Sequence, residues 1–349
     1  MAKRRLTQRQ RARIQAIQQR RLQTAEARQK RKADELINAL DNDSDARHGL
    51  VIANHGPSQL VEDEQGEVLR CVPRQNLGST LVSGDRVLWF PAGDEEGVIT
   101  ALQARKTILS RLHTSGENRP LAANVDRMLV VAAPAPALDE ALIDRYLVAA
   151  ERLRIEPVLI INKADLLDTS ARHSLEKRTQ VYQRLGYQVL YLSTKSGENI
   201  QAFHQLLPGH TTILNGQSGV GKSSLVRTLL PDRDIRIHAI STITGLGTHT
   251  TSTTTLYHVP TGGDLIDSPG VRNFELGELE PIDVEYGYRE CHNLPGVCKF
   301  KDCRHQNEPS CAWRTLLERG KIDSGRLERM VKMRAEVEQS RRLDFLKAH

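Results

Sequence analysis

Aromatic residues are scarce, at 4% of 349 positions, with two tryptophans and five phenylalanines. Between residues 45 and 110 they thin to Trp89 and Phe90, so a base-stacking platform there has little support. Long apolar runs are missing too. The best, Met128 to Ala133, stops at Pro134, far short of a bilayer span, so no membrane partner is expected. The basic N-terminus lacks the apolar core of a secretory leader. There are five cysteines, four of them after residue 290, a pattern of ligands in a reducing cytoplasm rather than of a disulfide framework. Acids are nearly absent from residues 1–33, where twelve Lys/Arg face the single Glu26, a net of +11. Because the whole chain carries +6, everything after this arm sums to −5. The basic signal therefore belongs to the arm, which reads as a mobile segment that orders on RNA; a solvated tail without a partner is the other reading.

The length exceeds what one core usually serves, so two or three domains are expected. The strongest local pattern is Gly216-Gln217-Ser218-Gly219-Val220-Gly221-Lys222-Ser223, followed by Ser224. A β-branched run, Thr211 to Leu214, precedes it and a helical stretch, Ser223 to Leu230, follows it. This is a P-loop in its proper setting. Glycines let successive N–H groups turn towards phosphate oxygens, and the helix adds its positive N-terminal end. Lys222 can reach the β- and γ-phosphates, and the Ser223 hydroxyl can hold Mg²⁺.

Upstream, five short alternating runs between Gly49 and Leu102, separated by turn-like pieces, predict a small β-barrel such as an OB-fold. Any RNA contact there would lean on Arg70, Arg74, Arg105, Lys106 and Arg111; a purely structural barrel is the alternative. From about Ala122 strands and helices alternate, which predicts a parallel sheet covered on both faces. Its second strand ends in Asn162-Lys163-Ala164-Asp165. The Asp165 carboxylate can accept from the ring N1–H and exocyclic amine of guanine, a donor pair that adenine lacks. Asn162 can bond the other edge of the base and tie this loop to the P-loop, and the Lys163 stem can cover the base plane. Ser193-Thr194-Lys195 is similar to the loop whose backbone meets the guanine oxygen. Downstream, Asp267-Ser268-Pro269-Gly270 gives D-x-x-G: Asp267 can bind Mg²⁺ through water and the Gly270 N–H can meet the γ-phosphate. Between them lies Thr244 to Thr255, glycine- and threonine-rich and without apolar period, which reads as a switch loop. Base-recognition loops thus precede the P-loop, the reverse of the usual order, and circular permutation accounts for it.

The permuted order, the barrel before it and the cysteine cluster after it resemble the RsgA (YjeQ) family of bacterial GTPases of small ribosomal subunit maturation. The motifs that carry the resemblance are NKAD (162–165), GQSGVGKSS (216–224), LGTHTT (246–251) and DSPGVR (267–272). It implies subunit-stimulated GTP hydrolysis, rRNA contact and a cytoplasmic location. Register with the family motif selects Thr251 over Thr250 as the threonine that closes on Mg²⁺. The residue after D-x-x-G is Val271, which cannot orient water, so another group must; His249 is the candidate, as the resemblance also suggests.

Cys298, Cys303, His305 and Cys311, spaced C-x₄-C-x-H-x₅-C, match a closed, four-coordinate structural Zn²⁺ site. Cys291, His292 and Cys71 read as packing residues. The expected architecture is a basic arm (1–35), an OB-fold barrel (36–112), a circularly permuted α/β GTPase (113–276) and a zinc-binding, α-rich C-terminal domain (277–349). The expected activity is GTP hydrolysis to GDP and phosphate by a monomer working with the small subunit and its rRNA. A GTP-switched RNA-binding protein that does not hydrolyse is the alternative. A small-molecule P-loop kinase or ATPase is disfavoured by NKAD.

Overall fold

Alternating β-branched runs become strands where a core waits on one side. In the computed structural model, which describes residues 46–74, 77, 81–92, 96–112, 118–232, 254–267, 279–296 and 298–348, the chain divides into two compact units. Within the first lie β1 (Arg47–Asn54), β2 (Gln59–Asp63), β3 (Val68–Pro73), β4 (Arg86–Pro91) and β5 (Glu96–Leu102). They pair in the order β1-β2-β3-β5-β4, and β4 returns to β1, which closes the barrel. Only β3 and β5 run parallel; the rest is antiparallel, the Greek-key closure of an OB-fold. Trp89 sits at the centre, fully buried with Val51, Val61, Cys71, Leu81, Val87 and Ile99. Its indole occupies space that two glycines leave open: a Cβ on Gly49 would come within 2.8 Å of Trp89 Cδ1, and one on Gly97 within 2.6 Å of Trp89 Cε3. Phe90 is buried as well, so both aromatics of this unit serve the core.

The second unit comprises Val82–Gly84 and everything from Arg105 onward. A hairpin, β6 (Ile108–Leu112) with β7 (Asn118–Ala123), precedes the α/β part. Then come β8 (Arg127–Ala132), α1 (Glu140–Leu153), β9 (Glu156–Ile161), α2 (Thr169–Arg184), β10 (Gln188–Tyr191), α3 (Ile200–His204), β11 (Thr211–Gly216), α4 (Lys222–Leu229), β12 (Thr255–His258) and β13 (Asp264–Asp267). Asp139 and Asp168 cap α1 and α2 by accepting from Leu142 N and Ala171 N. The sheet runs β10-β9-β8-β11-β13-β12, parallel except for β12, as expected from alternating elements. The P-loop strand β11 therefore lies between β8 and β13, in the middle. Strands β8 and β9 are nearly continuous apolar runs, as burial on both faces requires.

A third group of elements follows: α5 (Pro281–Tyr286), a 3₁₀ turn at Arg289–Asn293, α6 (Ala312–Glu318) and α7 (Ser324–Ala348). They share a core built on Leu279, Val284, Tyr288, Trp313, Leu316 and Met330, and Val148 of α1 belongs to it. Gly287 makes that approach tight, since a Cβ there would lie 2.6 Å from Val148 Cγ1. Beneath it runs a buried charge network. Arg326 donates to Asp144 of α1 at 2.6 Å and to Glu290 at 2.5 Å, Arg329 donates to Asp144 at 2.6 Å, and the hydroxyls of Tyr182 and Tyr288 also reach Asp144. Burial by itself would lower the Arg326 pKa; Asp144 and Glu290 outweigh it and hold the guanidinium above the ordinary arginine range. No helix among the described residues is long and apolar enough to cross a membrane.

Candidate functional site

The phosphate loop forms where β11 ends in Gly216 and α4 begins after Gly221. Gly216, Gly219 and Gly221 have φ of +147°, +83° and +95°, values that side chains with a Cβ rarely adopt. Space forbids a Cβ at two of them: on Gly216 it would meet Val131 O at 2.1 Å, and on Gly221 it would meet Asn162 Nδ2 at 2.3 Å. Lys222 folds back over the loop and donates to Gly216 O (2.6 Å) and Gln217 O (2.7 Å). Ser223 and Ser224 are exposed on the first turn of α4, whose N-cap, Gly221, offers no side-chain cap. The arrangement leaves that turn open to an anion.

The loop expected to read the base lies against it. Asn162 is fully buried at the end of β9, and its Nδ2 donates to Val220 O at 2.9 Å. Asn162 Oδ1 is buried with no partner among the described residues, so the acceptor side of its amide is unspent there. Lys163, at φ +61°, lays its stem across the loops and donates to Gly219 O (2.6 Å) and Ala135 O (2.8 Å). The Ala135 carbonyl, on the loop between β8 and α1, carried no signal in the sequence because a backbone acceptor has no letter. Asp165 is exposed, and Ser193 Oγ donates to its Oδ1 at 2.6 Å. The same Ser193 oxygen accepts from the backbone N–H of Lys195 and Ser196, both at 3.1 Å. Ala164 N in turn bonds Leu192 O, which fastens the two base loops together. Asn162, Lys163, Asp165, Ser193 and the P-loop thus meet in one place, at the carboxyl ends of β9, β10 and β11, where open α/β sheets bind ligands. Thr194, half-buried, and Lys195, exposed, lie on the rim of that loop. Asp267 ends β13, one strand from the P-loop. His249, Thr250, Thr251, Gly270 and Val271 lie outside the described residues.

The second cluster is built by the loop before α6. Cys298, Cys303, His305 and Cys311 bring their ligand atoms within 4.8 Å of one another. His305 Nδ1 faces Cys298, Cys303 and Cys311 Sγ at 3.6, 3.5 and 3.4 Å, and Cys298 and Cys311 sulfurs are 4.0 Å apart. Bond lengths of about 2.3 Å to sulfur and about 2.0–2.1 Å to nitrogen give a tetrahedron with edges of about 3.5–3.8 Å, so the four residues fit zinc. Burial pushes the Cys303 thiol up to about 12, and it raises Cys311 against the pull of the Arg314 and Trp313 N–H groups at the start of α6. Two buried thiols and one half-buried thiol, Cys298, around one imidazole nitrogen are a donor set that a soft cation stabilises as thiolates.

A family model described as RsgA GTPase matches residues 102–277. A small ribosomal subunit biogenesis GTPase RsgA of Azotobacter vinelandii is 46% identical over 331 residues, covering 94% of this chain and 96% of its own. The protein of the same name from Pseudomonas aeruginosa is 46% identical over 322 residues, covering 92% and 94%. Among solved structures, YjeQ from Thermotoga maritima superposes with a TM-score of 0.69 at 33% identity, over 84% of this chain and 98% of that one. YloQ, described as a circularly permuted GTPase, gives 0.67 at 26% identity, over 86% and 98%.

Proposed function

The chain belongs to the RsgA GTPase family, a family of GTP hydrolases, and from that premise we propose that it serves late maturation of the small ribosomal subunit in the cytoplasm. It binds rRNA and hydrolyses GTP to GDP and phosphate when the subunit stimulates it. The observation that carries this reading is the joining of base loop and phosphate loop by Asn162 and Lys163 into one pocket. Asn162, Lys163 and Asp165 recognise guanine, with Ala164 and the Ser193-Thr194-Lys195 loop in support; Gly216 to Ser224 hold the phosphates. Mg²⁺, which draws charge from the phosphates, is held by Ser223, Thr251 and Asp267. Gly270 meets the γ-phosphate, and His249 orients water where Val271 cannot. Cys298, Cys303, His305 and Cys311 hold one structural zinc. The chain acts as a monomer, divided into arm 1–35, barrel 36–112, GTPase 113–276 and C-terminal domain 277–349, and the arm and barrel carry the RNA contacts.

The test is multiple-turnover phosphate release by the full chain with isolated small subunits, with large subunits and with neither. Strong stimulation by small subunits alone is expected. Equal rates in all three would remove the subunit from the reading. Val271 favours a second reading, a GTP-switched binder that does not hydrolyse. GTP-dependent subunit binding without phosphate release would select it.

A further inference from the structure

Glu285, on α5, is not a metal ligand, yet its carboxylate stands behind one. Oε1 lies 3.0 Å from His305 Nε2, the ring nitrogen opposite the one that faces the three thiols. Both side chains are almost wholly enclosed. Nε2 is buried, and among the described residues it has no aligned hydrogen bond and no other acceptor. Arg334 Nε stands 2.8 Å from the same Glu285 oxygen as an ion pair, and the Trp313 Nε1–H donates to the other carboxylate oxygen at 3.4 Å. A histidine that offers the Nδ1 lone pair to a cation must keep its hydrogen on Nε2, and a buried N–H needs an acceptor. A carboxylate in that place fixes the tautomer, orients the ring and makes Nδ1 a stronger donor.

We propose that Glu285 is the outer-shell residue that positions His305 for zinc and ties the metal site to α5, the first described helix after the strand that ends in Asp267. The proposal rests on zinc being held by the four ligands, as inferred above. Loss of the carboxylate leaves the ligand set intact and weakens its grip. Arg334 pairs with Glu285 from α7 and does not touch the imidazole in this scheme.

The experiment is zinc competition against a chromophoric chelator on the full chain, for the wild type, Glu285→Gln and Arg334→Gln, with zinc content measured beside it. One zinc per wild-type chain is expected; none would overturn the zinc reading itself, and this inference with it. Given that zinc, Glu285→Gln should raise the zinc dissociation constant roughly ten- to hundred-fold. Arg334→Gln, which removes a partly shielded ion pair only, should stay within about threefold. Hydrogen exchange at Pro281–Tyr286 should quicken in Glu285→Gln at limiting zinc and return to the wild-type pattern at excess zinc. Wild-type affinity in Glu285→Gln would overturn the assignment, as would equal weakening in Arg334→Gln, which would mark a general loss of packing. Should Glu285→Gln not fold, Glu285→Asp, whose charge is withdrawn by one methylene, must show the weakened affinity; unchanged affinity there overturns the assignment equally.

Discussion

At Asp165 the proposed reading of guanine comes down to a single carboxylate. Ser193 Oγ holds Oδ1 at 2.6 Å, so the group is aimed before any nucleotide arrives. Asp165→Asn presents an amide that can meet the carbonyl which replaces the guanine amine in xanthine. GTP affinity should fall by about 1.5–3 kcal/mol while XTP affinity rises. Unchanged preference for GTP over XTP in a competition titration would remove the base assignment. His249 makes the complementary case, a residue expected to act on the rate alone. His249→Ala should cut subunit-stimulated single-turnover hydrolysis by about tenfold or more and leave GTP affinity nearly unchanged. A near-normal rate would move water orientation elsewhere, and a collapse of affinity would make His249 a structural member of its loop.

Between elements, the P-loop depends on a contact that leaves no space. Gly221 combines φ +95° with an Asn162 amide 2.3 Å from where its Cβ would be. Gly221→Ala must strain the backbone and push Asn162 off Val220 O. GTP affinity should drop about tenfold or more, equivalent to at least ~1.4 kcal/mol. Gly209→Ala supplies the control, since its φ of +77° is also strained but nothing lies within 4 Å of its Cβ. Equal affinities in the two variants, measured by isothermal titration, would mean that Asn162 does not brace the loop. The motifs were legible because each needs a fixed residue at a fixed offset, and the strands of the barrel and sheet because β-branched runs stood between turn residues. The β6–β7 hairpin was missed: Arg111, Arg119 and Pro120 interrupt its short strands, so no alternation stands out. Helix α5 was missed as well, being only six residues long, although Pro281 at its start and Asp283, which accepts from Glu280 N at 2.9 Å, were readable cues. Contacts such as Lys163 with Ala135 O, or Glu285 with His305, join residues that sequence spacing does not relate.

Across the molecule, the C-terminal elements are fixed to the GTPase sheet through α1. Asp144 is fully enclosed and receives Arg326, Arg329 and two tyrosine hydroxyls. Asp144→Leu would leave both guanidiniums without that partner. Removing one side of a buried pair costs about 3–5 kcal/mol, so the urea midpoint of the second unit should fall sharply. A midpoint within error of the wild type would show that the network contributes no net stability. The arm supplies an opposite kind of test, because in the proposed reading its charge is felt in binding. Deleting residues 1–33 takes away +11, which should weaken subunit binding and flatten its salt dependence as fewer counterions are released. The same slope in both chains would make the arm a passenger.

The place of β11 in the sheet also sets an order of events during synthesis. Strands β8, β9 and β10 emerge from the translating ribosome first and can pair with one another in sequence, β8 with β9 and β9 with β10. The edge of β8 then waits unpaired until β11 arrives, and β13 can dock only after that. The loop proposed to read the base is therefore synthesised before the loop proposed to grip phosphate, so a nascent chain is not expected to retain GTP until β11 has been added to the edge of β8.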